Sequence, residues 1–338
     1  MSDTDDGPRS PNSSPDREAS GDEREVERNS EAPGDERGVE SNQEAPDEVV
    51  AERLPPEEAF ELLAHDLRFR ILEVLNDADG ALAFSGLRER VGVDDPGQFN
   101  YHLGKLTDRF VRSADEGYEL APPGRRIVGA VLSGGYTKIL DADPVETDAR
   151  CIVCGSRMAV EFRDDGVEIR CGECEETLTN TSVPAGILEG VAPAEVPEVV
   201  DQWLKRVHAA ADFGFCSNCD GRFEAGLVVA GQPDAPDWLD GEEKPRATVR
   251  YECDRCGFEW TSFPPSAVLL HPAVVGFHYD HGIDVRETPL WDLDWLGIDV
   301  MSVESADPPE VEISVTLDGE TATFTFDADL NLVAERRE

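Results

Sequence analysis

No hydrophobic period develops over residues 1–54, a stretch of Asp, Glu, Ser, Pro and Gly without an aromatic side chain. Its one regularity is a crude repeat, Arg28-Asn29-Ser30-Glu31-Ala32-Pro33 echoed by Glu40-Ser41-Asn42-Gln43-Glu44-Ala45-Pro46. So little apolar area cannot offset chain entropy, and a disordered acidic tail is expected. The pattern changes at Pro55-Pro56, which opens a helix with Glu57 and Glu58 in its first turn. Phe60, Leu63, Leu67, Ile71 and Leu75 then recur every three or four residues, an amphipathic stripe bent near His65. Leu87 and Val91 mark a short second helix capped by Ser85 and stopped at Gly92. Pro96 opens a third over Pro96–Asp108, with Phe99, Leu103, Leu106 and Phe110 inward and Asp94 and Asp95 as capping groups. Two extended runs, Val111–Ser113 and Gly117–Leu120, are followed by a helix after Pro122-Pro123 bearing Ile127, Val128, Val131 and Leu132. Helix, short helix, turn, helix and hairpin together predict a winged helix-turn-helix over residues 55–140.

Further along, period-two runs dominate. Met158–Phe162 and Gly166–Arg170 alternate around Arg163-Asp164-Asp165-Gly166, and Arg222–Glu224 with Ala247–Tyr251 repeat the logic. Val196–Ala211 predicts a helix with Trp203 and Val207 inward, and Pro264–His281 another, broken at Pro272. Val311–Val315 and Thr321–Phe326 around Asp318-Gly319 predict a C-terminal β-hairpin. The expected class is α+β: the winged domain, then two zinc-ribbon-like units with accompanying helices, at 145–211 and 212–338. Ser182-Val183-Pro184 after Cys174 is echoed by Thr261-Ser262-Phe263-Pro264 after Cys256, the trace of a duplication.

All eight cysteines fall into four Cys-x-x-Cys pairs: Cys151/Cys154, Cys171/Cys174, Cys216/Cys219 and Cys253/Cys256. Two such turns present four thiolates to one tetrahedral ion, and sixteen residues between the first two pairs is a ribbon spacing. The second quartet spans thirty-three. Disulfides would need an oxidising compartment, whereas the N-terminal residues lack a signal-peptide core and no run is long enough to span a membrane. Two structural zinc ions in a cytoplasmic chain are therefore expected, with iron in the same geometry as the residual.

Composition adds a formal net charge of -43, from 73 acids against 30 Lys and Arg. Lysine is scarce, and the economical reading is a halophilic chain adapted to multimolar salt, where the Debye length shrinks to about 3 Å. Such a surface repels membranes and, in dilute salt, nucleic acid. The charge is uneven: residues 1–54 carry net -11, residues 55–133 net -5 and the remainder net -27. Within the middle segment, Gly97–Ser113 holds Lys105, Arg109 and Arg112 against Asp108 alone.

The segments Leu63-Ala64-His65-Asp66-Leu67-Arg68-Phe69-Arg70-Ile71-Leu72 and Gly97-Gln98-Phe99-Asn100-Tyr101-His102-Leu103-Gly104-Lys105-Leu106, followed by Gly117-Tyr118-Glu119-Leu120, resemble the ArsR-type winged-helix regulators of haloarchaea. The resemblance covers roughly residues 57–133, and the C-terminal half resembles the cysteine-rich region accompanying some members. It implies a homodimeric transcription regulator with the third helix in the major groove of double-stranded DNA. Carried over by position, the outward residues are Gln98, Tyr101 and Lys105 with Asn100 at the border. Gln and Asn suit adenine edges, and Tyr and Lys suit phosphates. Arg109 and Arg112 would clamp the backbone, with Arg88 and Arg90 offered from the preceding helix, while His102 stays beside the buried face. Metal-sensing relatives carry a cysteine pair on a helix of this domain; it has none here, which argues against arsenic or cadmium sensing. Arg109-Phe110 also stands where many relatives have Gly before the wing.

The leading expectation is a sequence-specific regulator whose zinc-stabilised half contacts a small-molecule or protein effector. The alternative is a protein-interaction adaptor without DNA binding. An enzyme is disfavoured, because four-thiolate sites leave no open coordination position and no hydrolase, kinase, nucleotide or redox motif is present. His271, His278 and His281 are not expected to be catalytic. Trp291, Trp295 and Phe277 are expected to line an apolar ligand or subunit surface.

Overall fold

A computed structural model describes residues 54–151, 154–163, 166–240, 246–293 and 300–338. The acidic tail, the Asp164-Asp165 turn and Trp295 lie outside them.

The first helical stripe is two helices rather than one bent helix: α1 (Pro56–Glu61) and α2 (Asp66–Asn76). His65 makes the break, its Nδ1 accepting the Leu67 N–H at 3.1 Å, while Arg68 donates to the carbonyls of Glu61 and Leu62 at 2.9 and 2.8 Å. In α3 (Phe84–Val91) the N-cap is Ala83 without a side-chain bond, so Ser85 sits inside the first turn and does not cap it. Gly92 ends α3 at φ 78°, as a left-handed cap favours.

Helix α4 (Pro96–Leu106) is capped by Asp95, whose Oδ1 accepts from Gly97 N at 2.7 Å and Gln98 N at 3.3 Å. Asp94 contributes only its carbonyl, to Arg88 at 3.1 Å. The helix stops short of Asp108, which takes φ 70° and turns the chain into β1 (Val111–Ala114). That strand pairs antiparallel with β2 (Gly117–Leu120), Val111 opposite Leu120. Gly117 is required there: a Cβ would lie 2.1 Å from the Leu82 carbonyl oxygen, where Leu82 and Tyr118 exchange two 2.9 Å bonds. Helix α5 (Pro122–Leu132) completes this part. Ile71, Leu72, Leu87, Phe99, Leu106 and Val111 are fully buried in its own apolar cluster, each such large side chain stabilising by roughly 1.5–3 kcal/mol.

The remainder is built on three small antiparallel sheets. The first is a meander, β3 (Val145–Arg150), β4 (Arg157–Arg163), β5 (Gly166–Cys171) and β6 (Thr177–Thr181). After a 3-10 turn at Ala185–Ile187 comes α6 (Val196–Asp212). The second sheet holds β7 (Phe223–Val229), β8 (Ala247–Cys253) and β9 (Glu259–Ser262), followed by α7 (Pro264–Ala267) and α8 (Pro272–Asp280). Each of these two sheets carries a hairpin and a short following strand, with helical pieces after it, but the first adds β3 ahead of its hairpin and is followed by three helical pieces rather than two.

The third sheet contains the expected hairpin, β11 (Pro309–Leu317) with β12 (Glu320–Phe326), turned at Asp318 and Gly319 with φ 52° and 89°. It is flanked by two edge strands not expected from the pattern, β10 (Met301–Ala306) and β13 (Leu332–Arg337). All three sheets and α6 share one apolar cluster. Phe277 lies inside it with no exposed surface, so it does not line an apolar ligand or subunit surface; packing against Phe324 and His281 encloses its ring. Trp291 is half-buried. No described helix is long and apolar enough to cross a membrane.

The α5 end and the cysteine-rich part meet backbone to backbone. Gly186 N–H donates to the Ser133 carbonyl at 2.8 Å, and a Cβ on Gly186 would fall 2.3 Å from the Leu132 oxygen. Arg126 reaches Asp220 at 2.9 Å, and Lys138 pairs with Glu189.

Candidate functional site

The four Cys-x-x-Cys turns share one backbone design. In each, the first cysteine's N–H donates to the carbonyl five residues on, and its carbonyl accepts from the N–H four residues on. For the first turn these are Cys151 to Ser156 and Gly155 to Cys151, both 2.9 Å; for the last, Cys253 to Phe258 at 3.0 Å and Gly257 to Cys253 at 2.9 Å. The fourth residue after each first cysteine is left-handed: Gly155, Glu175, Asp220 and Gly257 have φ of 72°, 62°, 54° and 67°. Each turn so made aims both thiols at one point.

Strand register brings the turns together in pairs. Across the first quartet Cys151 and Cys174 sulfurs lie 3.4 Å apart and Cys154 and Cys171 3.5 Å. Across the second, Cys216 and Cys256 are 3.9 Å apart and Cys219 and Cys253 3.5 Å. Within each quartet the four sulfurs fall within 4.8 Å of one another. A tetrahedral ion with bonds of about 2.3 Å holds its sulfurs about 3.8 Å apart, so both quartets fit a metal.

The surroundings favour thiolate at two of the three exposed corners; at the third, Cys174, the neighbouring thiols and burial push the pKa up to about 12. Cys154 is held down to about 6 by the Ser156 side chain and backbone, and Cys256 to about 6 by the Asn218 side chain and the Phe258 backbone. Asn218 also donates its backbone N–H to Cys216 sulfur at 3.4 Å. Burial, with its three neighbours, instead pushes Cys219 up to about 12. Four crowded thiols lose their protons together only when a cation neutralises them. Such closed sites support structure and leave no position for a substrate.

His271, His278 and His281 lie outside both quartets. His271 Nδ1 caps α8 by accepting Ala273 N–H at 3.2 Å, and the Nδ1 atoms of His278 and His281 lie 2.8 and 2.9 Å from the carbonyls of Val274 and Phe277.

On α4, Gln98, Asn100, Tyr101 and Lys105 are exposed, while Phe99, His102, Leu103 and Leu106 are buried. Lys105 Nζ stands 5.7 Å from the Tyr101 ring centroid. Arg109 is exposed; Arg112 is exposed too, but its guanidinium binds Glu119 across the hairpin at 2.8 Å.

Sequence reasoning missed a polar set on α6. Asp201 and Lys205 are both buried and pair at 2.7 Å; Asp201 also accepts Leu290 N–H at 2.8 Å, and Lys205 donates to the carbonyls of Thr288 at 2.7 Å and Arg286 at 3.3 Å. Their spacing of four is that of an ordinary surface pair, and only the unbroken apolar neighbours Val200 and Leu204 hint at burial.

His208, one turn on, packs edge-on against Trp260 at 4.8 Å, and its Nδ1 has no hydrogen-bond partner among the described residues. Burial pushes it down to about 4 from an ordinary 6.5. As pH falls through 6.5 the unfolded chain takes the proton first, so stability is full above that value and is lost down to about 4. The full loss is about 3 kcal/mol. His208→Phe is expected to remove about 2 kcal/mol of the decline between pH 6.5 and 5 in denaturant titrations. Equal slopes for both proteins over that window would rule this out. His102, also lowered by burial, leaves a residual slope of the same sign.

Neither a curated protein nor a solved structure matches the chain. Residues 56–131 match a family model described as a domain of unknown function (DUF7347), which runs from α1 into α5. Residues 148–332 match a second, also described as a domain of unknown function (DUF7351), running from β3 into β13 and enclosing all eight cysteines. Since that match takes in more than half of the 338 residues, the chain belongs to the DUF7351 family.

Proposed function

We propose that residues 56–133 are a winged helix-turn-helix and that the protein is a sequence-specific DNA-binding transcription regulator, acting as a homodimer of the ArsR type. In this reading zinc fills both quartets and stabilises a half that serves effector or protein contacts. The observation that carries it is the two-sidedness of α4. Its apolar residues are sealed in the core, and Gln98, Asn100, Tyr101 and Lys105 stand in solvent immediately before a short antiparallel hairpin. A groove-reading helix needs a rigid inner face and a polar outer one.

Gln98 and Asn100 would bond base edges, while Tyr101, Lys105 and Arg109 would hold phosphates. Arg112, tied to Glu119, stiffens the wing more than it offers charge. The overall acidity is compatible with DNA at multimolar salt. Counterion release contributes little there, and affinity rests on base contacts, shape and buried area. Zinc suits the donor set because soft thiolates in a closed tetrahedron select it over hard cations.

The pairing of Arg112 favours one other reading, an adaptor whose hairpin and zinc units dock protein. The two separate on α4. Replacing Gln98, Tyr101 and Lys105 together with Ala is expected to weaken operator binding by at least about a hundredfold, since it removes one base contact worth roughly 1–3 kcal/mol and two phosphate contacts that position the helix. Operators would first be identified by genome-wide occupancy of the full chain in high salt. Undiminished DNA binding by a folded triple variant, or no enriched sites at all, would sink the regulator reading.

A further inference from the structure

Between the end of α5 and the first sheet lies a cleft of about 600 Å³. One wall is the connecting segment 138–145; the opposite wall is the stretch 185–196 between β6 and α6. Leu140, Val145, Phe162, Leu188, Val191 and Val196 make the larger share of its surface apolar. Its volume is in the range of pockets that take small organic ligands, and the cleft is half open to solvent.

The charged groups around it are unbalanced. Lys138 supplies a cation, already paired with Glu189. Asp141 and Asp143 also line the cleft, both exposed, and neither pairs with a cation among the described residues. A largely apolar hollow with spare carboxylates at its rim disfavours an organic anion and favours an organic cation.

We propose that this cleft binds a small amphipathic cation, an apolar body carrying an ammonium-like charge. The apolar part fills the space between Leu140, Phe162, Leu188 and Val191, and the charge lies toward Asp141 and Asp143. The site adjoins the joint at which Gly186 N–H meets the Ser133 carbonyl, so an occupant bridges the segment continuing α5 and the cysteine-rich half. Binding itself does not depend on the regulator reading; its effect on DNA would.

Tetraphenylphosphonium and tetraphenylborate, nearly isosteric ions of opposite charge, provide the test by calorimetry on the full chain in high salt. Bulk screening there suppresses non-specific attraction to the acidic surface. The phosphonium is expected to bind saturably at one site per chain, at least about tenfold tighter than the borate. Val191→Trp, which fills the cleft from a half-buried position, is expected to weaken phosphonium binding at least about tenfold while circular dichroism and metal content stay unchanged. Asp141→Asn with Asp143→Asn is expected to narrow the gap between the two ions. Absence of saturable binding, a borate bound as tightly as the phosphonium, or unaltered binding by folded Val191→Trp would each overturn the proposal. DNA binding by the same variants fails or survives separately, which keeps the two readings apart.

Discussion

If zinc fills both quartets as proposed, removing it is expected to unfold the cysteine-rich half outright. Cysteines of both quartets lie within one shared apolar cluster, and a structural zinc contributes roughly 10–16 kcal/mol to small domains at neutral pH. Whole proteins are stable by only about 5–15 kcal/mol, so losing either ion exceeds what the remaining packing can supply. The chain offers its own reporter: all five tryptophans, Trp203, Trp238, Trp260, Trp291 and Trp295, fall in this half. Chelation should shift their emission to the red and restoring zinc should reverse it. Elemental analysis should return two metals per chain. Unshifted emission after complete metal loss would show that the quartets are not structural. One metal per chain, or a disulfide in the second quartet, would refute the paired-site description.

Lys205→Met is expected to cost about 3–5 kcal/mol of unfolding free energy, because it leaves the Asp201 carboxylate buried without its cation. Burial already holds that carboxyl above its ordinary range despite the ammonium at 2.7 Å, so desolvation outweighs the attraction. Such a pair adds little net stability; it fixes geometry, tying residues 286–290 to α6 through three backbone bonds. Adding Asp201→Asn to Lys205→Met should recover most of the loss, since the amide oxygen can still accept Leu290 N–H. Denaturant titrations of wild type, both single variants and the double variant give the coupling directly. If the double variant is no better than Lys205→Met, the loss comes from packing of the lysine stem and not from an orphaned charge.

Local patterns carried the reading of the sequence well where a residue's role is decided by close neighbours. The cysteine turns are set by bonds spanning four or five residues, and Asp95 before Pro96 caps α4 as such a residue should. The stripe of Phe99, Leu103 and Leu106 points inward because one face of a helix must. Where two remote segments decide, the pattern is silent. Asp201 and Lys205 are buried by residues more than eighty positions away. Strands β10 and β13 alternate half-buried and exposed side chains at the sheet edges, without the fully buried positions that mark β11 and β12. The break between α1 and α2 depends on a histidine ring nitrogen replacing a backbone acceptor, and a helical period does not register it. Ser85 has a capping side chain but sits two residues past the cap. Of the proposed DNA contacts, composition could place Arg112 near the groove but could not see Glu119 opposite it.

The two quartets have the same turn geometry but unequal tethers, with sixteen intervening residues in one and thirty-three in the other. Closing a loop of twice the length costs about 0.6 kcal/mol more, roughly a threefold preference for the shorter ring. Nascent chains also expose Cys151 to Cys174 before Cys216 to Cys256. Kinetics and entropy thus agree on a sequence of assembly in which the earlier quartet closes first and the later one matures against it.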